Sequence, residues 1–105
     1  MSFVCILTTL PDPATARQLA RRLVEARLAA CVNVLEGCTS VYRWQGAVEE
    51  ASETVLVIKT AHDRYAALET FLRQQHPYEL PEIIALPIAQ GLPEYLDWVR
   101  AQTRA

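Results

Sequence analysis

From Cys31 to Thr60 the sequence reads as one β-hairpin folded at Gln45-Gly46, and the length of that hairpin limits what the rest can be. Its arms are CVNVLEGCTSVYRW and AVEEASETVLVIKT. Both are rich in β-branched and aromatic residues, and a two-residue turn ending in Gly is a hairpin signal. Gln-Gly fixes the register less firmly than Asn-Gly would. An arm of about fourteen residues runs roughly 45 Å, against ~17–20 Å for an ordinary strand. The chain has 105 residues, enough for a single core and hence one domain, 1–105. So small a globule does not cover so long a ribbon. The outer half, with Tyr42 and Trp44, is therefore expected to pack on something else, most simply another copy of the chain.

The flanking segments supply the remaining elements. Phe3 to Thr9 reads as a central strand. Asp12 is a candidate N-cap with Pro13 at the first helical position, and Ala16, Leu19, Ala20, Leu23 and Val24 form an apolar helical stripe through about Arg27. After the hairpin, His62-Asp63 offers a cap for a helix carrying Tyr65, Leu68, Phe71 and Leu72 on one face. Pro77 ends it near His76. Glu82 to Ile88 reads as a strand that Pro87 confines to a sheet edge. Pro93 to about Gln102 is a last helix with Leu92, Tyr95, Leu96 and Val99 facing inward.

The order βαββαβ plus a terminal helix is the pattern of a ferredoxin-like α+β sandwich, with helices on one face of an antiparallel sheet. The other face is left bare. A bare apolar sheet face and an overlong hairpin together call for a closed oligomer.

Composition excludes several classes. The net charge is −2, so no nucleic-acid partner is expected, and Arg17, Arg21, Arg22 and Arg27 read as the solvated side of an amphipathic helix. No apolar run approaches the ~20 residues of a membrane span, and the start has no basic leader with an apolar stretch behind it. Three cysteines without framework spacing favour a reducing, cytoplasmic setting. With three glycines in all there is no glycine-rich phosphate loop, and no nucleophile stands at readable spacing from a base.

Several segments resemble a known family. Leu28-Ala29-Ala30-Cys31-Val32-Asn33, Ser40-Val41-Tyr42-Arg43-Trp44-Gln45-Gly46, Ile58-Lys59-Thr60, His76-Pro77-Tyr78-Glu79-Leu80-Pro81-Glu82-Ile83 and Tyr95-Leu96-Asp97-Trp98-Val99 are similar to the signature segments of the CutA divalent-cation tolerance proteins. The resemblance covers almost the whole chain, with the blocks in order. It implies a ferredoxin-like fold, a stable homotrimer like the PII signalling proteins, a cytoplasmic location, and a role in tolerance of copper and other divalent cations. It specifies no reaction class, so no enzymatic activity is expected. Copper or another divalent cation is the expected bound ion, none being required for folding, and an unidentified protein partner is the expected receiver of any signal.

Copper(II) accepts imidazole and copper(I) prefers thiolate, so the metal candidates are Cys31 and His76. Neither belongs to a metal-spaced pair, and the plainer reading of Cys31 is a small buried hydrophobe. Cys38, seven positions on, faces the other side of an unbulged strand, and Cys5 reads as core with Phe3 and Leu7. His76 ends a helix, and Pro77 and Pro81 stiffen the loop that presents Tyr78 and Glu79. Lys59, His76, Tyr78 and Glu79 suit either acid–base chemistry or a polar lock between subunits. Tyr42 and Trp44 share a strand face and read as interface anchors, or as the walls of a cleft between subunits completed by Lys59, Tyr78 and Glu79. His62 is a surface residue at a helix start.

Overall fold

The computed structural model describes residues Ser2 to Arg104. Among them the chain runs β1 (Phe3–Leu10), α1 (Pro13–Glu25), β2 (Cys31–Trp44), β3 (Ala47–Ala61), a 3-10 turn at His62–Arg64, α2 (Tyr65–Gln75), β4 (Ile84–Pro87) and α3 (Pro93–Gln102). The sheet has the order β2-β3-β1-β4, and every pairing is antiparallel. This is the ferredoxin-like α+β arrangement. No helix among the described residues is long and apolar enough to cross a membrane.

Local chemistry accounts for the helix ends. Asp12 caps α1, accepting from the Thr15 amide at 2.8 Å and from the Thr15 hydroxyl at 2.9 Å. The Thr15 amide, then its hydroxyl, hold the Asp12 carboxyl below the usual carboxylate range. At the other end Arg27 takes a left-handed backbone, φ 58°, so that its amide reaches Val24 O and the Leu28 amide reaches Leu23 O. That pair of bonds is a Schellman stop, with arginine where glycine is usual. α2 lacks the cap expected from Asp63, whose carboxylate instead pairs with Arg104 at 2.8 Å.

Both α1 and α2 lie on one face of the sheet. Ala16, Leu19, Ala20 and Leu23 of α1 and Leu68 and Leu72 of α2 close over Val4, Ile6, Leu10, Leu56 and Ile58, all buried. Val24, read as part of the stripe, is instead exposed. The opposite face is not wholly bare. α3 crosses one end of it, where Val99 packs with Phe3, Ala30 and Ala61, so the expectation of a helix-free face holds only beyond that end. Leu92, which precedes the first turn of α3, does not turn inward as expected and is 65% exposed, and the Tyr95 ring is only partly covered. Cys5 also departs from its reading as core, since it sits half-buried on the open face rather than under the helices.

The hairpin turns at Gln45 and Gly46, both at positive φ, 50° and 83°. Its register holds one irregularity. Leu35 stands opposite Val55 and Cys38 opposite Glu53, so Glu36 and Gly37 share the single partner Thr54. Gly37 supplies the left-handed backbone, φ 78°, that this bulge requires. The extra residue resets the alternation of side chains. As a result Cys31, Asn33 and Leu35 before the bulge, and Cys38, Ser40, Tyr42 and Trp44 after it, all point to the face away from α1 and α2. The expectation that Cys38 faces away from Cys31 is corrected by this bulge. Their partners Lys59 and Glu53 are six residues apart on β3, about 20 Å, which still keeps the two thiols from a common ion.

Candidate functional site

Beyond the end of β1, the open face of the hairpin and the loop that follows α2 enclose a groove of about 1020 Å³. Its innermost support is His76. Pro77 forces extended backbone on His76 (ψ 135°), which stops α2 and swings the ring under the sheet end. The Nε2–H donates to the Thr9 carbonyl at 2.8 Å, and Nδ1 accepts the Tyr78 amide at 3.1 Å. A carbonyl only accepts and an amide only donates, so the ring is the neutral Nε2–H tautomer. Burial holds the imidazole below its ordinary 6.5, against the opposing pull of the Thr9 carbonyl and Glu53.

The Tyr78 ring packs on His76 with centroids 4.9 Å apart, and its hydroxyl donates to Glu53 Oε2 at 2.7 Å. Burial, reinforced by that bond and by the Glu53 charge, pushes the phenol far above its usual value, so it stays a donor. For Glu53 burial pushes the carboxyl up, but the neighbouring hydroxyls of Ser40, Tyr78 and Thr9 outweigh it and hold the group ionised below its ordinary range. Thr9 thus serves twice, its carbonyl fixing His76 and its hydroxyl supporting Glu53.

Of the five residues expected to form a cleft, the structure brings Tyr42, Trp44, Tyr78 and Glu79 to this groove. Lys59 is not there. It pairs in register with Cys5 and Cys31, about 20 Å from Glu53 along β3, and its ammonium donates to the Asn33 side-chain oxygen. The five names misplace Lys59 because strand position, not sequence proximity to Ile58-Thr60, decides which end of the face a residue occupies. Glu53, Ser40 and Thr9 were not among the sequence candidates. The signal for Glu53 was available in the alternation Ala51, Glu53, Val55, Val57, which sets a carboxylate among apolar neighbours on one face.

The metal candidates are not brought together. Cys31 is half-buried near the Tyr95 phenol of α3; burial first, then the neighbouring Cys31, raise that phenol. His76 lies at the level of Thr9, four residues along β1 from Cys5, which is level with Cys31 through Lys59. That displacement is about 13 Å along the strands alone. Both ring nitrogens of His76 are also committed to backbone partners. Among the described residues no group of three or more His, Cys, Asp or Glu is placed to hold a metal ion. Cys31 and His76 of one chain therefore do not fit a shared copper ion.

What this fold and site resemble among known proteins is consistent throughout. The family described as CutA1 divalent ion tolerance protein matches residues 4–102. The divalent-cation tolerance protein CutA of Thermus thermophilus is 51% identical over 98 residues, spanning 93% of this chain and 95% of that one. The crystal structure of CutA from Xylella fastidiosa superposes with a TM-score of 0.95 at 44% identity, covering 99% of this chain and 100% of that chain. The structure of the periplasmic divalent cation tolerance protein CutA from Archaeoglobus fulgidus does so with a TM-score of 0.94 at 35% identity, covering 97% and 99%. From the first strand to the last helix, this chain belongs to the CutA1 divalent ion tolerance family.

Proposed function

We propose that the chain acts in tolerance of divalent cations, copper in particular, as a homotrimer that binds its ligand without transforming it. In this reading the groove of Tyr42, Trp44, Tyr78 and Glu79 becomes a cleft between copies, as in the PII-like arrangement, and occupancy of the cleft is read by a partner protein. The observation that carries it is the apolar surface left uncovered by one chain. Val41 is 64% and Val48 63% exposed on the hairpin, and Ile84 and Leu86 stand about half exposed on the edge strand β4. The two groups lie at opposite edges of the sheet, so the hairpin of one copy can cover the β4 edge of the next. A hairpin from one copy laid on the flank of the next is a heterologous contact, which closes into a ring when the rotation allows.

Light scattering on the purified protein tests it. The expected mass is three times that of one 11.8 kDa chain, held on dilution to the nanomolar range. A folded single chain at that concentration refutes the trimer and the cleft with it.

Direct copper binding, if it is the route to tolerance, falls to Cys31, with further donors from a neighbouring copy. Titration of the reduced protein with copper(I) decides this: a bound equivalent lost in Cys31→Ser supports it, and unchanged stoichiometry removes Cys31. The free thiols Cys5, Cys31 and Cys38 fit a reducing, cytoplasmic setting, which fractionation of cells expressing the protein would check.

A further inference from the structure

We propose that the groove receives a small organic cation with a guanidinium head, stacked on the Tyr42 and Trp44 rings and paired with Glu79 and Glu82. This rests on the cleft reading above and names the class of its occupant. The lining carries the carboxylates Glu53, Glu79 and Glu82 and the aromatic rings Tyr42, Trp44 and Tyr78, and among the described residues no Lys, Arg or His lines it. Arg43, between the two rings in sequence, is sent to the opposite face by strand alternation. His76 behind the wall is uncharged, with both nitrogens committed.

Three ligand classes separate on that lining. A phosphate or nucleotide would meet three carboxylates and no counter-charge. A bare divalent ion needs several oxygens converging at about 2.0–2.6 Å, and no such group is placed here. A guanidinium is planar and weakly hydrated, stacks on aromatic faces and forks onto carboxylates, so it uses everything the groove offers. The rings are set for stacking, since Tyr42 and Trp44 stand two apart on β2, face the same way and are 44% and 41% exposed in the single chain. The carboxylates divide their roles. Glu53 already accepts from the Tyr78 hydroxyl, whereas the Glu79 and Glu82 side chains are exposed and make no hydrogen bond or ion pair among the described residues. Pro77 and Pro81 bracket Tyr78 to Leu80, so Glu79 is held out with little freedom to lose on binding.

Agmatine, a guanidinium on a short alkylammonium chain, is the probe. The chain has two tryptophans, and Trp98 lies on α3, so the Trp98→Phe variant leaves Trp44 as sole reporter. Agmatine should change Trp44 fluorescence saturably, more weakly as salt is raised. The Glu79→Gln/Glu82→Gln pair should weaken its affinity at least tenfold, with the mass by light scattering unchanged. No saturable response, or equal affinity in the double variant, overturns the proposal. A Trp44 response to inorganic phosphate or ATP but not to agmatine removes the cation and leaves the cleft standing, whereas loss of the trimer removes the cleft itself. Agmatine binding that appears only after Arg43→Ala would mean a guanidinium from a second copy fills the groove, and the free-ligand proposal falls.

Discussion

The hydroxyl of Tyr78 reaches Glu53 across twenty-five positions of sequence and donates to its carboxylate at 2.7 Å. This single bond ties the loop after α2 to the middle of the hairpin. Tyr78→Phe deletes it while keeping the ring against His76. A bond to a charged acceptor of this partly exposed kind contributes about 1–2 kcal/mol, and that is the expected loss in a denaturant melt. The acid limb should change as well. Glu53 is held below its ordinary 4.5, so the native state stays ionised where the unfolded chain takes a proton. Its contribution is present above about pH 4.5 and lost as pH falls through the native value. With one donor gone the loss between neutral pH and pH 3 should be smaller in Tyr78→Phe, and an unchanged slope would contradict the assignment.

His76 imposes a second dependence, in a higher window. Its folded value lies below 6.5, so the unfolded chain binds a proton that the native chain refuses as pH falls past that point. Stability is therefore present above pH 6.5 and lost below it, down to the native value. Urea melts at pH 7.5 and 5.5 should show the drop, and His76→Gln should flatten it at the cost of overall stability. Nitrogen NMR at pH 7.5 should find Nε2 protonated and Nδ1 bare; the reverse tautomer is incompatible with the Thr9 and Tyr78 bonds.

Trp44→Ala tests whether the exposed hairpin is an anchor. Truncating a large aromatic at a packed junction costs roughly 3–5 kcal/mol, here taken mostly from assembly. Sedimentation should reveal smaller species on dilution, and a trimer of unchanged stability would dismiss the anchor.

The hairpin turn offers a gain. Gln45 and Gly46 are both left-handed, a backbone that asparagine tolerates better than glutamine. Gln45→Asn should raise stability by a few tenths to about 1 kcal/mol. A lower melting midpoint would show that the Gln45 side chain does something the turn alone does not.

How far the chain could be read from its residues varied with the kind of signal. Patterns of period two and 3.6 located the elements well: both hairpin arms, the Gln45-Gly46 turn, the Asp12 cap and the halt of α2 at His76 all appear where expected. The last strand was read too long, because Glu82 and Ile83 have strand-like neighbours but no partner on β1 beyond Leu7. The inward face of α3 was misjudged at Leu92, since the short helix meets only one corner of the sheet, around Val99. For the site, residues adjacent in sequence, Tyr78 and Glu79 or Tyr42 and Trp44, were found. Glu53, Ser40 and Thr9 were not, because their meeting depends on which face of the sheet each one takes. For Ser40 that in turn depends on one inserted residue at Gly37, which no alternation rule announces.

That insertion has a consequence for how this hairpin can change over time. Between Gly37 and the turn, the identity of every outward residue is keyed to a phase set once. Gaining or losing one residue in that interval would send Ser40, Tyr42 and Trp44 under the sheet and bring Thr39, Val41 and Arg43 out in their place. Only even-numbered length changes, or a matching change across the ribbon, preserve the pattern. The tip can therefore grow or shrink in whole pleats, while single-residue drift is confined to the loop beyond Trp44.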